Sequence, residues 1–267
     1  MKDPELQSQT EAATSYEEFF LPALFRQWTP HVLDTAQVGP GQKVLDVACG
    51  TGILARAALA RVSPRGSVAG LDPNPGMLAV ATKLEPGIAW RQGMAESLPY
   101  QDASFDVVVS QFGLMFFTDR LKALREMRRV LTTEGRLAVA VWDSLEHIPG
   151  YAAEVALVER IAGEHGANPL RAPFVLGNTD ELIVLFRSAG ISNVSVMTHH
   201  GLARFPSIRS MLDADVYGWL PLMGVTLNSE EIDQIFQEAE HELSPFLAPD
   251  GTVAFDLPAH IISGSKE

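Results

Sequence analysis

Residues 44–55 read Val-Leu-Asp-Val-Ala-Cys-Gly-Thr-Gly-Ile-Leu-Ala, and this run constrains the fold more than any other part of the chain. A short apolar segment carries Asp46 near its end. Ala48, Gly50 and Gly52 follow, and a helix-like sequence begins directly after them. A strand, a tight glycine turn and a helix N-terminus in that order bring backbone amides close to a ligand, because glycine has no side chain to block the approach. Asp72 then closes a second strand-like segment, Ser67–Asp72. A carboxylate about twenty residues beyond the glycines holds the hydroxyls of a ribose in nucleotide-type folds. The pattern predicts a site for an adenosine-containing cofactor.

Strand and helix signals alternate through the first half. Strands are expected at Lys43–Val47, Ser67–Asp72, Ile88–Gln92, Phe105–Gln111 and Arg136–Trp142, and helices at Thr51–Val62, Pro75–Lys83 and Thr118–Leu131. The last helix carries Leu121, Leu124, Met127 and Leu131 at helical spacing, with Thr118 as its expected N-cap. Such alternation implies a parallel sheet covered on both faces. Beyond Trp142 the pattern changes. Helices are expected at Tyr151–Glu164 and at Thr179–Ala189, the latter capped by Thr179 and followed by Gly190. Residues 193–199 and 252–263 show strand-like alternation, with Pro258 interrupting or bulging the second. Between them lie two amphipathic helices, Ser207–Leu220 and Ser229–Leu243, which read as a lid or cap. At the other end, residues 1–13 are polar and expected to fray, and 15–36 read as helical with interruptions at Pro22 and Pro30.

Composition narrows the function classes. A length of 267 residues fits one large domain or one domain plus an insertion. No apolar run approaches the roughly 18 residues that span a bilayer, and the first residues lack an apolar signal-peptide core. One cysteine excludes an internal disulfide and suits a reducing, cytoplasmic setting. A formal net charge of -13 argues against nucleic acid or an anionic membrane as the main partner. No metal is expected, because His199 and His200 are neighbours facing opposite ways with no third ligand at suitable spacing.

Residues 50–55 also fit a dinucleotide-binding pattern, and a nicotinamide-dependent oxidoreductase is the alternative reading. Asp46 disfavours it: a carboxylate there repels a pyrophosphate but suits a cationic or amino group. The longer series of motifs points the same way. The run at 44–55 is followed by Leu71-Asp72-Pro73-Asn74-Pro75-Gly76-Met77-Leu78, Gly93-Met94-Ala95-Glu96-Ser97-Leu98-Pro99-Tyr100 and Ser104-Phe105-Asp106-Val107-Val108-Val109. Leu124-Arg125-Glu126-Met127-Arg128-Arg129-Val130-Leu131 then precedes Gly135-Arg136-Leu137. In this order, across residues 41–142, they resemble the class I S-adenosylmethionine-dependent methyltransferases, in the subgroup similar to the ubiquinone and menaquinone biosynthesis enzymes.

The resemblance implies an α/β fold with a seven-stranded, mostly parallel Rossmann-like sheet and an antiparallel C-terminal strand. Residues 14–205 and 248–267 would form the methyltransferase domain, with residues 206–247 as a helical lid insertion. The cofactor would be S-adenosylmethionine. Asp46 and the backbone of Ala48, Gly50 and Gly52 would surround its methionine part. Asp72, beside Pro73, would accept hydrogen bonds from the ribose, Met77 would pack on the adenine, and Ala95 would present its amide to the adenine edge. Gln111 and Phe112 would border the sulfonium. The family usually has an acidic residue where this chain has Met94; Glu96 or a backbone carbonyl would then read the adenine amino group. A catalytically inactive scaffold is a third reading, favoured by Met94 alone.

The acceptor is expected to be a small, apolar or aromatic molecule, bound to a monomer or homodimer. Tyr16, Met115, Phe116, Trp142 and Trp219 are its candidate lining, with Tyr151 beside them. His147, just beyond the fifth strand, is the candidate general base. Cys49 is expected to be a packed residue, not a reactive one.

Overall fold

A computed structural model describes residues 4–267. The nine strands are β1 (Lys43–Val47), β2 (Ser67–Asp72), β3 (Ala89–Gln92), β4 (Phe105–Gln111), β5 (Leu131–Trp142), β6 (Ser192–His199), β7 (Leu202–Phe205), β8 (Val253–Asp256) and β9 (Ala259–Ser265). The α-helices are α1 (Pro4–Ser15), α2 (Thr29–Thr35), α3 (Ile53–Val62), α4 (Pro75–Leu84), α5 (Arg120–Val130), α6 (Pro149–Arg171), α7 (Thr179–Ser188), α8 (Ile208–Ala214), α9 (Leu220–Leu222) and α10 (Ser229–Glu242).

Seven strands form one sheet in the order β3-β2-β1-β4-β5-β9-β6. β1 pairs in parallel with β2 and β4, and β9 runs antiparallel to both β5 and β6. This is the mostly parallel α/β sheet with an antiparallel C-terminal strand that the motifs predict. Its central strands are fully buried: Val107, Val108 and Val109 on β4 and residues 137–141 on β5 have no exposed surface. Helices on both faces remove water from both sides, so these strands read as continuous apolar runs. The chain order reverses between β1 and β4, which places the crevice for a ligand at the carboxyl end of β1.

Several boundaries differ from the sequence reading, each for a local reason. Asp119 caps α5, accepting a hydrogen bond from the Lys122 amide at 2.9 Å, so the helix starts two residues after Thr118. Asn178 caps α7 and takes the amides of Asp180 and Glu181, which leaves Thr179 inside the helix. The expected strand at 252–263 is two strands. β8 pairs with the short β7 in a separate two-stranded ladder, and the chain joins the main sheet only after Pro258, which has no N–H to donate. β7, with four residues, is too short to announce itself by alternation. The expected helix Ser207–Leu220 is broken: α8, capped by the reciprocal Ser207–Ser210 pair, gives way to a π-helical turn over Asp215–Trp219 and then to α9.

The largest difference lies at the N-terminus. Residues 4–15, expected to fray, form α1, which lies on the start of α4 so closely that a Cβ on Gly76 would sit 2.4 Å from the Gln9 backbone. Its polar sequence hid this, because α1 buries only Ala13 fully. The first three residues of the expected frayed segment lie outside the described residues. Tyr16–Phe25 continues as a π-helical stretch containing Pro22.

Candidate active site

The β1–α3 loop is built from backbone conformations that side chains disfavour. Ala48, Gly50 and Gly52 all have positive φ, at 58°, 54° and 87°. Gly52 starts α3 from the left-handed region, and a Cβ there would sit 2.4 Å from the Trp90 ring. Gly50 is different: the nearest atom to a Cβ at this position is on the Tyr16 ring, 3.9 Å away. The open side of the loop therefore faces Tyr16, and only a residue without a side chain leaves that space to a ligand.

Asp72 braces the loop from the neighbouring strand. Its Oδ2 accepts the Gly50 amide and its Oδ1 the Asn74 amide, each at 2.9 Å. A carboxylate has about four lone-pair positions, so two remain for further donors. Asp46 has no such partners. Both of its oxygens are buried without a hydrogen bond, and burial pushes its pKa well above the usual carboxylate range, with Asp72 adding repulsion. A buried carboxylate without partners is costly unless a ligand supplies a donor or a positive charge. The α-ammonium and sulfonium of S-adenosylmethionine are groups of that kind. The donor set thus fits the cofactor: Asp72 for ribose hydroxyls, Asp46 and the loop backbone for its cationic end.

A cavity of about 480 Å³, within the usual range for small-molecule sites, lies beyond Tyr16 from this loop; Asp46, Ala48, Gly50, Gly52 and Asp72 adjoin it without lining it. Met77, Gln9 and Tyr16 line its cofactor end. Burial, and then Asp72, pushes the Tyr16 hydroxyl far above its ordinary pKa, so it stays protonated. The middle is aromatic. Phe112 and Trp142 stack with ring centres 3.7 Å apart, and Phe25 leans on both at 5.5 and 5.7 Å. Phe112 holds a φ of 57° directly after β4, which turns its ring into this stack. The far wall comes from residues 215–222, where Trp219 meets Phe116 at 5.3 Å and ties its indole N–H to the Pro169 carbonyl at 2.8 Å.

Two carboxyls meet beside that wall. Asp215 lines the cavity and is 4% exposed; Glu154, on α6, is completely buried. The Asp215 Oδ2 and both Glu154 oxygens have no donor. Burial pushes Glu154 well above its usual pKa, with Asp215 as the second cause, and pushes Asp215 up to about 7. Two adjacent buried carboxyls cannot both ionise, so one proton is shared between them. Nothing in the sequence pattern flagged either residue: each stands alone in a helical stripe, and only the fold brings them together.

Of the expected lining residues, Tyr16, Phe116, Trp142, Tyr151 and Trp219 border the cavity. Met115 does not; it is 4% exposed and packs in the core below the loop. Among the expected cofactor contacts, Gln111 and Glu96 are engaged elsewhere. The Gln111 amide donates to the Phe25 carbonyl at 3.3 Å and accepts from the Thr29 hydroxyl at 3.3 Å, so it anchors the N-terminal segment. The Glu96 Oε1 accepts the Thr118 and Asp119 amides at 2.9 and 3.3 Å and steadies the approach to α5. Met94 is 51% exposed while Ala95 is buried. His147 lies outside the cavity lining: its ring bonds the Asp143 carboxylate at 3.0 Å on a 3-10 turn, with its side chain more than half exposed. That bond raises the imidazole pKa. Burial pushes the Cys49 thiol up, and Asp46 and Asp72 add to the shift, which makes it a packed residue of low reactivity.

A fold and site of this kind define a nucleotide-cofactor transferase, and comparisons with known proteins name the class. Residues 45–139 match the family model described as a methyltransferase domain. A demethylmenaquinone methyltransferase from Staphylococcus carnosus is 36% identical over 206 residues, covering 71% of this chain and 85% of that protein. A ubiquinone/menaquinone biosynthesis C-methyltransferase from Xanthomonas oryzae is 44% identical over 120 residues, but the match spans only 47% of its length. Among solved structures, YcgJ from Bacillus subtilis shares the fold with a TM-score of 0.60 at 22% identity, over 90% of this chain and 98% of that one. A putative methyltransferase from an antibiotic biosynthesis pathway of Anabaena variabilis reaches 0.65 at 17% identity, over 90% and 96%. The chain belongs to the class I S-adenosylmethionine-dependent methyltransferases. Within that class its relatives are the ubiquinone and menaquinone biosynthesis enzymes that the motifs resemble. Its cofactor is S-adenosylmethionine. Among the described residues, no helix is long and apolar enough to cross a membrane.

Proposed function

We propose that this methyltransferase acts on a small, largely apolar or aromatic acceptor held between the Phe112–Trp142 stack and residues 215–222. The observation that carries the reading is the continuity of one cavity: Met77 and Tyr16 stand at its cofactor end, Phe116 and Trp219 at the other. Two relatives named for methyl transfer in quinone biosynthesis support an aromatic acceptor. Bound cofactor supplies a sulfonium methyl that is already strongly electrophilic. The chain then has to align the acceptor and exclude water, and alignment alone contributes roughly 7–11 kcal/mol to such reactions.

In this reading Asp72 holds the ribose, Met77 the adenine face, and Asp46 with the Gly50–Gly52 backbone the methionine part. Residues 206–247 act as a lid inserted in the domain of residues 14–205 and 248–267. Only 215–222 of that segment reach the cavity. α10 instead braces α6, with Glu238 and Glu242 on Arg160. α1 covers the cofactor end, since Ser8, Gln9, Ala12 and Ser15 line it. The test is transfer of a radiolabelled methyl from S-adenosylmethionine into the small-molecule fraction of a cell extract. Label in a small aromatic product, lost in Trp219→Ala, is expected. Label in protein or nucleic acid overturns the reading, and an absence of transfer by a chain that binds cofactor favours the inactive scaffold.

A further inference from the structure

Away from the α1 side, where Ser8, Gln9 and Ser15 bring polar groups, the cavity is apolar and aromatic except at one place on its far wall. There the buried Asp215 carboxyl lines the cavity, with its Oδ2 enclosed and without an N–H donor. Glu154 stands behind it, fully buried, with the Asp215 carboxyl as its polar neighbour. Among the described residues the lining contains no Lys, Arg or His. Below about pH 7 Asp215 keeps its own proton; above it the pair carries one negative charge, in a wall that also holds Tyr151, Phe174 and Trp219. A buried charge without a partner is strongly unfavourable, and aromatic faces around a carboxylate attract a cation. An apolar ligand alone would bury this charge further. A neutral donor would satisfy the oxygen but leave the charge uncompensated.

We propose that Asp215, backed by Glu154, binds a protonated amine carried by the otherwise aromatic or apolar acceptor. The pair is then a specificity determinant of the acceptor end, distant in role from Asp46 and Asp72, which serve the cofactor. The inference rests on the reading of this cavity as the acceptor site. Glu154 acts through Asp215: by carrying the shared proton, it leaves the Asp215 oxygen free to face the ligand.

The test uses the full chain loaded with S-adenosylhomocysteine, and three probes of nearly one shape: 2-naphthylmethylammonium, 2-naphthalenemethanol and 2-ethylnaphthalene. Calorimetry should show the ammonium binding at least about tenfold more tightly than the alcohol, the modest end of what a buried, hydrogen-bonded charge pair contributes. Asp215→Leu, of similar shape, should abolish that preference while leaving 2-ethylnaphthalene within about threefold and S-adenosylhomocysteine unchanged. Glu154→Gln should keep the preference, since its amide N–H can take over the role of the shared proton. The proposal is overturned if the alcohol or hydrocarbon binds as tightly as the ammonium, if none of the three binds, or if Asp215→Leu retains the preference. Failure of the parent chain to bind S-adenosylhomocysteine would instead overturn the reading of the cofactor end.

Discussion

The two ends of the cavity are made in different ways. The cofactor end, which adjoins the cavity behind Tyr16, is backbone: positive-φ residues at Ala48, Gly50 and Gly52, an amide pair held by Asp72, and strands fixed by the parallel ladder. The acceptor end is side chains, on a π-helical stretch at 16–25, a second π-helical turn at 215–219, and the stack of Phe112 on Trp142. Backbone placed by a central sheet has little freedom to move, whereas a wall of helical turns joined by irregular segments changes shape by repacking. A fixed cofactor can thus be kept at one end while the other end diverges toward new acceptors. Substitutions at one end should accordingly leave the other end's ligand alone.

The most severe break of that separation is Gly50→Val. The φ of 54° excludes a β-branched residue, and the new side chain would point into the open side of the loop. S-adenosylhomocysteine binding measured by calorimetry should disappear, while the circular dichroism spectrum stays that of the parent. Asp72→Ala comes next. It removes the proposed ribose acceptor and the brace on the Gly50 and Asn74 amides, and should weaken S-adenosylhomocysteine by roughly 2–4 kcal/mol.

On the acceptor side the effect should divide by ligand. Trp219→Ala opens the far wall and frees the Pro169 carbonyl. It should cut methyl transfer strongly, with S-adenosylhomocysteine affinity within about twofold of the parent, since Trp219 stands across the cavity from the loop. A parallel loss of cofactor affinity would show that the two ends are coupled.

The Asp215 and Glu154 pair predicts a pH dependence of the acceptor end. The Asp215 carboxyl, ordinarily near 3.8, is pushed up to about 7 in the fold by burial, with Glu154 beside it and the Tyr151 hydroxyl close by. The folded chain therefore holds a proton that the unfolded chain has released. The stability this contributes is full below about pH 4 and is lost as pH rises toward 7. Asp215→Leu should flatten that decline in thermal midpoints measured across this window, and an unchanged slope would show that the proton resides elsewhere.

The smallest effect is expected from Met94→Asp. Met94 is half exposed, so a carboxylate there meets water and has no burial cost. Cofactor binding should tighten slightly or stay level. A large loss would place Met94 in an apolar contact with the adenine.

What was legible in the sequence follows the same division. Asp46, the glycines and Asp72 were readable because backbone chemistry limits which residues a tight turn tolerates, and a strand end limits where an acid can stand. The strands β1, β2 and β4 were readable to the residue, because burial on both faces demands unbroken apolar runs. α1 was not, since a polar helix that covers a ligand cleft buries almost nothing to mark it. The bonds of Glu96 and Gln111 were not readable, because side chains next to the cleft in sequence turn to the amides before α5 and to the N-terminal segment only once the chain has folded. Glu154 and Asp215 were invisible for the opposite reason: they are 61 residues apart and meet only through the packing of the π-helical turn on α6.

The central claim, one cavity with a backbone-built cofactor end and a side-chain-built acceptor end, is tested most directly by a crystal structure of the full chain with S-adenosylhomocysteine. The account predicts both ribose hydroxyls on the Asp72 carboxylate, the amino end by Asp46, and the space among Phe116, Trp142, Asp215 and Trp219 left free. A cofactor lying instead against residues 215–222, with Asp72 still bound only to the Gly50 and Asn74 amides, would contradict it.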